Sequence, residues 1–238
     1  MRTFLGTLRF LAGAVISLCM AVVAILSIPL DPRRGRVFHA SSRLWARLVL
    51  FVCGVKVQVR GLEHVQQPQS YIYVSNHASM FDIPCILAGI PDQIRIVYKK
   101  ELEVIPVFGW GLKWGSYISI DRSHRASAMR SLDSAAQKIR DGASVLLYAE
   151  GTRTTDGKLQ PFKRGAFKLA VKAGIPVVPL TINGTFHILR KRSVVIRPGR
   201  AELILERPIP VDRDRGKDSE MHLMEQVHEA IAQHYIDQ

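Results

Sequence analysis

Two short stretches of the chain hold side chains that move protons and seat anions. The first is Ser75, Asn76, His77, Ala78, Ser79, Met80, Phe81 and Asp82, where a run rich in Tyr and Val meets a polar turn with a histidine and a carboxylate. Five residues span about 140° of an ideal helix, so His77 and Asp82 cannot share a face from mid-helix. With His77 in the turn before a helix that starts near Asp82, the carboxylate folds back to accept the imidazole N–H, fixing the tautomer and stabilising imidazolium. Such a pair makes His77 a general base. The chain has no G-x-S-x-G and no other convincing serine for it to activate, so the nucleophile would be a hydroxyl of the substrate. A capping aspartate beside a structural histidine satisfies the same spacing. The second stretch is Tyr148, Ala149, Glu150, Gly151, Thr152 and Arg153, which ends an apolar run with a glycine, a hydroxyl and a guanidinium. It reads as a phosphate cradle: Gly151 admits an anion to the backbone, Thr152 donates, and Arg153 forks two N–H groups onto phosphate oxygens. A solvated loop with a Glu–Arg pair has the same residues.

Both stretches sit where strands would end. From about residue 56, short β-rich runs alternate with helical periodicity, which predicts an α/β domain. Strands are expected over 56–60, 71–75, 94–98, 117–120, 144–148, 177–182 and 201–205, and helices over 83–88, 126–140, 165–173 and 220–234. In the helix over 126–140, Met129, Leu132, Ala136 and Ile139 recur at three or four residues and Gly142 stops it. Pro176 and Pro179 predict that the strand over 177–182 starts irregularly or lies at an edge.

Together these motifs make the chain similar to the glycerolipid acyltransferases, specifically the 1-acylglycerol-3-phosphate acyltransferase family. Asn76, His77, Ser79 and Asp82 match its N-H-x-S-x-x-D motif, and Glu150, Gly151, Thr152 and Arg153 match the end of F-P-E-G-T-R. Gly115, Ile120 and Arg122 resemble its G-x-x-x-I-x-R motif with one residue more between the glycine and the isoleucine, and Ile175, Pro176, Val177, Val178, Pro179 and Leu180 resemble its I-P-V-V-P-V strand. Lys99, Lys100, Glu101 and Leu102, with Ile105, Pro106, Gly109 and Trp110, resemble the linking region. The chain departs at Tyr148, for Phe, and at Ala149, for Pro, which removes a fixed φ and would loosen the phosphate turn.

The resemblance implies a mixed, largely parallel sheet flanked by helices, acyl-CoA or acyl carrier protein as thioester co-substrate, no metal and no other cofactor. It implies that His77 takes the proton of the acceptor hydroxyl and Asp82 holds His77, while Glu150, Thr152 and Arg153 seat a glycerol phosphate. Arg122 and Lys100 become candidate anion contacts, although Arg122 could equally pair with Asp121 at the surface. Lys163 and Arg164 precede a helix whose N-terminus attracts anions, or they are simply solvated. Arg190, Lys191 and Arg192 read as a solvated or headgroup-facing patch, and the other histidines as structural or exposed. The oxyanion needs donors, either backbone N–H groups after His77 or a basic side chain.

Composition fits a membrane partner. The 238 residues carry a formal charge of +13, and residues 1–60 hold nine basic residues against the single acidic Asp31. Most of that excess flanks an uncharged run over 10–30, which as a helix reaches roughly 30 Å, the thickness of a hydrocarbon core. A retained anchor is the reading; a cleaved signal would need a shorter apolar run and an A-x-A site, neither of which is here. Over 37–55, apolar residues interleave with Arg43 and Arg47, four apart, which predicts an amphipathic interfacial helix. Residues 1–55 are thus expected to form an anchor and 56–238 the acyltransferase domain, on the cytoplasmic face of the cell membrane by the placement of Arg33, Arg34 and Arg36. Cys19, Cys53 and Cys85 lack C-x-x-C spacing and read as reduced packing residues. The expected reaction makes phosphatidate from lysophosphatidate, with a lyso-aminolipid or glycerol 3-phosphate as alternative acceptors. A noncatalytic lipid-binding protein would keep the cradle without the intact His77 and Asp82. A nucleic-acid partner is not expected, because aliphatic rather than stacking residues separate the basic ones.

Overall fold

The computed structural model describes residues 1–30, 35–66, 69–121, 125–212 and 217–238. Arg33, Arg34, Arg122 and His124 lie outside the described residues. Two helices open the chain, α1 (Arg2–Ser27), extended by a short 3-10 turn Ile28–Leu30, and α2 (Arg36–Cys53). Then come β1 (Val55–Arg60), β2 (Ile72–Ser75), α3 (Asp82–Gly89), β3 (Ile94–Lys99), a 3-10 segment Lys100–Val104, α4 (Phe108–Trp114), β4 (Ile118–Ile120) and α5 (Arg125–Arg140). The remainder is β5 (Ser144–Tyr148), α6 (Arg164–Ala173), β6 (Val177–Asn183), α7 (Thr185–Ile188), β7 (Gly199–Leu205) and α8 (Lys217–Ala232).

The strands form one seven-stranded sheet in the order β1-β7-β6-β2-β5-β3-β4. Every neighbouring pair is parallel except β6 with β7. Successive side chains on a strand face opposite sides, and both faces here are covered, so β2, β5 and β6 read as nearly unbroken apolar runs. Tyr71 and Tyr73 enter a core with Leu50 and Cys53 of α2 and Cys85 and Ile86 of α3. Ile72 and Val74 enter the other, with Ile139 of α5, Phe167 of α6 and Val227 of α8. Thus α2 packs as part of the sheet's cover, while α1 leaves most of its apolar surface open, with Gly6, Gly13, Ala24 and Ser27 as its buried residues.

Of the irregular or edge start expected for β6, the edge is excluded. The strand lies inside the sheet between β7 and β2 with every residue buried. Two local arrangements accommodate its prolines. Pro176 precedes the strand and uses only its carbonyl, which accepts from Ile72 N. Pro179 faces the β7 side at the point where the ladder has ended, and there its carbonyl accepts from Glu206 N. Neither position needs the N–H that proline lacks.

Candidate active site

Ser75 of β2 and Tyr148 of β5 are register partners, so the two motif loops leave the carboxyl edge of the sheet side by side. Asn76 extends that edge as a side-chain imitation of a strand: its Nδ2 donates to the Ile182 carbonyl at 2.9 Å and its Oδ1 accepts from Ile182 N at 2.8 Å. His77 follows in the turn and Asp82 begins α3. The carboxylate does fold back: Asp82 Oδ2 lies 2.7 Å from His77 Nδ1 and accepts from the amides of Ala78 at 2.8 Å and Ser79 at 3.0 Å. Its Oδ1 accepts from Thr185 Oγ1 at 2.5 Å. Asp82 is fully buried, and each of its oxygens is engaged. With Nδ1 committed to Asp82, the imidazole presents Nε2 to the cavity, and its plane is fixed by stacking on Tyr148, with ring centroids 3.8 Å apart and 12° between planes. Ser79 anchors the turn from below through Oγ, which donates to the Leu189 carbonyl.

The second loop turns at Gly151, where φ is +70°, a conformation that favours glycine. Glu150 does not face the cavity. It is 3 % exposed, and its carboxylate accepts from His77 N at 2.6 Å and Gln160 N at 3.2 Å, so it ties the two motif loops to each other. Burial pushes its carboxyl up to about 7 against the opposing pull of those two amides. Nor is the turn loosened by Ala149. The Ala149 amide donates to the Ser75 carbonyl at 3.0 Å, a bond proline could not make, and its carbonyl accepts from Lys163 N at 2.8 Å. Lys191 holds the tip, donating from Nζ to Thr152 Oγ1 at 3.1 Å and to the Arg153 carbonyl at 2.9 Å.

Between the loops lies a cleft of about 620 Å³, lined at one end by His77, Gly151, Thr152, Arg153, Lys99 and Lys163. Among the described residues the Arg153 guanidinium and Lys163 Nζ have no hydrogen-bond or ion-pair partner. Lys163 lies against Gly151, where a β-carbon would come within 3.1 Å of its Cδ. The remaining walls are apolar. Ile83, Ile96, Tyr98 and Leu102 wall both this cleft and a second, almost wholly apolar cavity reaching Met20, Ala21 and Ala24 of α1 and Trp45 of α2. One end can seat an anion beside His77 Nε2; the other can seat a hydrocarbon chain.

The structure therefore brings together His77, Asp82, Gly151, Thr152 and Arg153, with Glu150 behind them. Lys100 does not line the cleft and pairs with Asp121 at 3.3 Å; Lys99 lines it instead. Gly115 serves packing, since the Phe38 ring of α2 occupies the space a β-carbon would need. The amides of Ala78 and Ser79 are spent on Asp82, so these two are not the donors for an oxyanion. Thr185, Tyr148 as a stacking partner, and Lys191 were not foreseen. Thr185 lies 103 residues from Asp82 with no spacing to link them. Lys191 was hidden in a charge run, although a polar loop tip with Thr152 exposed is a place where a lysine finds acceptors.

The family model for acyltransferases matches residues 56–183. A chloroplastic 1-acyl-sn-glycerol-3-phosphate acyltransferase of Brassica napus is 33% identical over 205 residues, covering 84% of this chain and 59% of that one. The Arabidopsis thaliana chloroplastic enzyme LPAT1 is 33% identical over 181 residues, 75% of this chain and 50% of its own. The chain thus spans between half and three fifths of the length of these plant relatives. The alpha enzyme of Bos taurus is 31% identical over 193 residues, 80% of this chain and 67% of its own. Among solved structures, the 1-acyl-sn-glycerophosphate acyltransferase PlsC of Thermotoga maritima superposes with a TM-score of 0.82 at 28% identity, over 98% of this chain and 94% of that one. With its paired motif loops, its sheet and these relatives, the chain belongs to the acyltransferase family, in the 1-acylglycerol-3-phosphate acyltransferase group.

Proposed function

We propose that the protein transfers a fatty acyl group from acyl-CoA or acyl carrier protein to the sn-2 hydroxyl of 1-acylglycerol 3-phosphate, forming phosphatidate. The observation that carries this reading is the His77 imidazole, held by Asp82 at 2.7 Å, beside an Arg153 guanidinium that has no partner among the described residues, in a cleft that continues into apolar space. His77 Nε2 accepts the proton of the acceptor hydroxyl as its oxygen attacks the thioester carbonyl. The C–S bond then breaks, and the departing thiolate takes the proton back from His77. Arg153, Thr152 and Lys163 hold the acceptor phosphate, Glu150 keeps their loop in register with His77, and the acyl chain lies along Ile83, Ile96 and Leu102. Residues 1–55 seat the domain 56–238 on the membrane from its cytoplasmic face, with α1 in the hydrocarbon and Arg43 and Arg47 among headgroups.

The test is thiol release from a long-chain acyl-CoA by the full-length protein, with and without lysophosphatidate, for wild type and His77→Ala. Release that requires the acceptor and falls at least about 100-fold in the variant supports the reading. Equal release from both proteins removes His77 as the base. Release with a lyso-aminolipid or glycerol 3-phosphate, and none with lysophosphatidate, overturns the acceptor while keeping the class.

A further inference from the structure

We infer that the segment from Lys100 to Trp114, comprising the 3-10 turn and α4, is a third lipid-seated element, lying in the headgroup region of the bilayer beside α1. The inference rests on the membrane seating of α1 just proposed. Along this segment Val104 is 80% exposed, Ile105 42%, Trp110 44% and Trp114 54%. Trp110 and Trp114 are four apart and so share one helix face, with their rings 6.1 Å between centroids. On the opposite face Phe108, itself 42% exposed, walls the apolar cavity together with Gly111 and Leu112. A β-carbon on Gly111 would meet Ile25 at 3.8 Å and the Ala21 carbonyl at 4.0 Å, so α4 lies directly on the second half of α1.

That placement identifies what covers the exposed face. Next to that contact α1 presents Val22 and Leu26, each one residue past Ala21 and Ile25 and both exposed. A bilayer that covers this part of α1 meets the tryptophan face of α4. Apolar patches of this extent are rarely left to water, and tryptophan at the border of an apolar surface prefers the headgroup layer, where its ring is buried and its N–H is wet. Lys113, exposed on α4, reaches the same layer.

The backbone holds the segment in this posture at a local cost. Val107 sits at φ +64° and ψ −60°, with Phe108 N donating to the Pro106 carbonyl at 2.7 Å, a γ-turn of the strained hand. Gly109 nests against the preceding turn, where a β-carbon would come within 2.5 Å of the Leu102 carbonyl and 2.6 Å of the Glu103 carbonyl. The tight reversal is what turns Val104 and Ile105 outward beside the tryptophans.

The test uses the full chain in vesicles of phosphatidylcholine and phosphatidylglycerol, with Trp45→Phe so that only Trp110 and Trp114 emit. An environment-sensitive dye on Cys19, exposed on α1 while Cys53 and Cys85 are buried, reports separately on α1. Lipids brominated close to the headgroup are expected to quench most of the tryptophan emission and shift it to the blue, and lipids brominated near the chain ends to quench it less. A Cys19 dye in hydrocarbon with tryptophans that are neither quenched nor shifted overturns the third element and leaves the anchor standing. A blue shift without quenching by either lipid overturns it as well, because a second copy of the chain rather than lipid then shields α4. If the Cys19 dye itself remains in water, the seating of α1 is wrong and this inference falls with it.

Discussion

Asp82 shows what one carboxylate does in this site. Among the described residues it accepts hydrogen bonds from His77, two amides and Thr185. Asp82→Asn can keep those contacts, with its oxygen toward His77 and its NH2 toward a rotated Thr185 hydroxyl, yet it cannot stabilise imidazolium. Turnover is expected to fall by about 10²- to 10⁴-fold in acyl-CoA assays while the melting temperature in detergent changes little. Thr185→Val should do the converse: it strips a buried charge-assisted hydrogen bond and costs about 1.5–3 kcal/mol of stability. Glu150 gives a pH signature. Its folded carboxyl is raised from 4.5 to about 7, so the folded state binds the extra proton and its contribution is present below 4.5 and lost as pH rises through 7. Glu150→Gln removes that loss but gives up one amide acceptor. The variant should therefore be least stable relative to wild type in acid, with the gap narrowing as pH climbs from 4.5 to about 7 by up to roughly 3 kcal/mol. Thermal melts across that range check it, and a gap that widens would contradict the assignment.

At the scale of elements, the loop after β5 is held at its tip by Lys191 and farther along by Gly157, whose carbonyl accepts from Tyr235 Oη at 2.7 Å. Lys191→Met frees Thr152 and Arg153 without touching His77. The KM for lysophosphatidate should rise roughly 10-fold, the equivalent of losing one or two such hydrogen bonds, with kcat nearly unchanged. How much of this was legible in sequence varies with the range of the forces involved. The seven strands and the helices over 83–88, 126–140, 165–173 and 220–234 were readable because apolar periodicity and glycine stops act locally. Pro179 misled because propensity marks a missing donor, whereas the fold places that position where β7 has stopped. The seven-residue α4, rich in glycine and tryptophan, and the four-residue α7 are too short to show a period. In the candidate site the pairing of His77 with Asp82 and the turn at Gly151 were legible from residue type. The inward turn of Glu150 was not, because it depends on amides contributed by two different loops.

At the scale of the whole molecule, charge and apolar surface divide the labour. A formal charge of +13 should draw the protein to anionic vesicles, with each Lys or Arg near the surface contributing on the order of 1 kcal/mol. Salt should weaken that attraction, whereas carbonate washing should leave the full-length chain in the membrane pellet if hydrocarbon holds α1 as proposed. The apolar cavity walled by α1, α2 and α4, and shared with the cleft through Ile83, Ile96, Tyr98 and Leu102, has a kinetic consequence. A lysolipid that arrives from within the bilayer is counted in molecules per unit of surface rather than per unit of volume. Adding inert phospholipid at a fixed bulk amount of acceptor should then slow turnover, and scaling acceptor and inert lipid together should restore it. On the proposed route the working variable is the crowding of the acceptor in two dimensions, so the rate should follow the composition of the bilayer rather than the bulk amount of lipid.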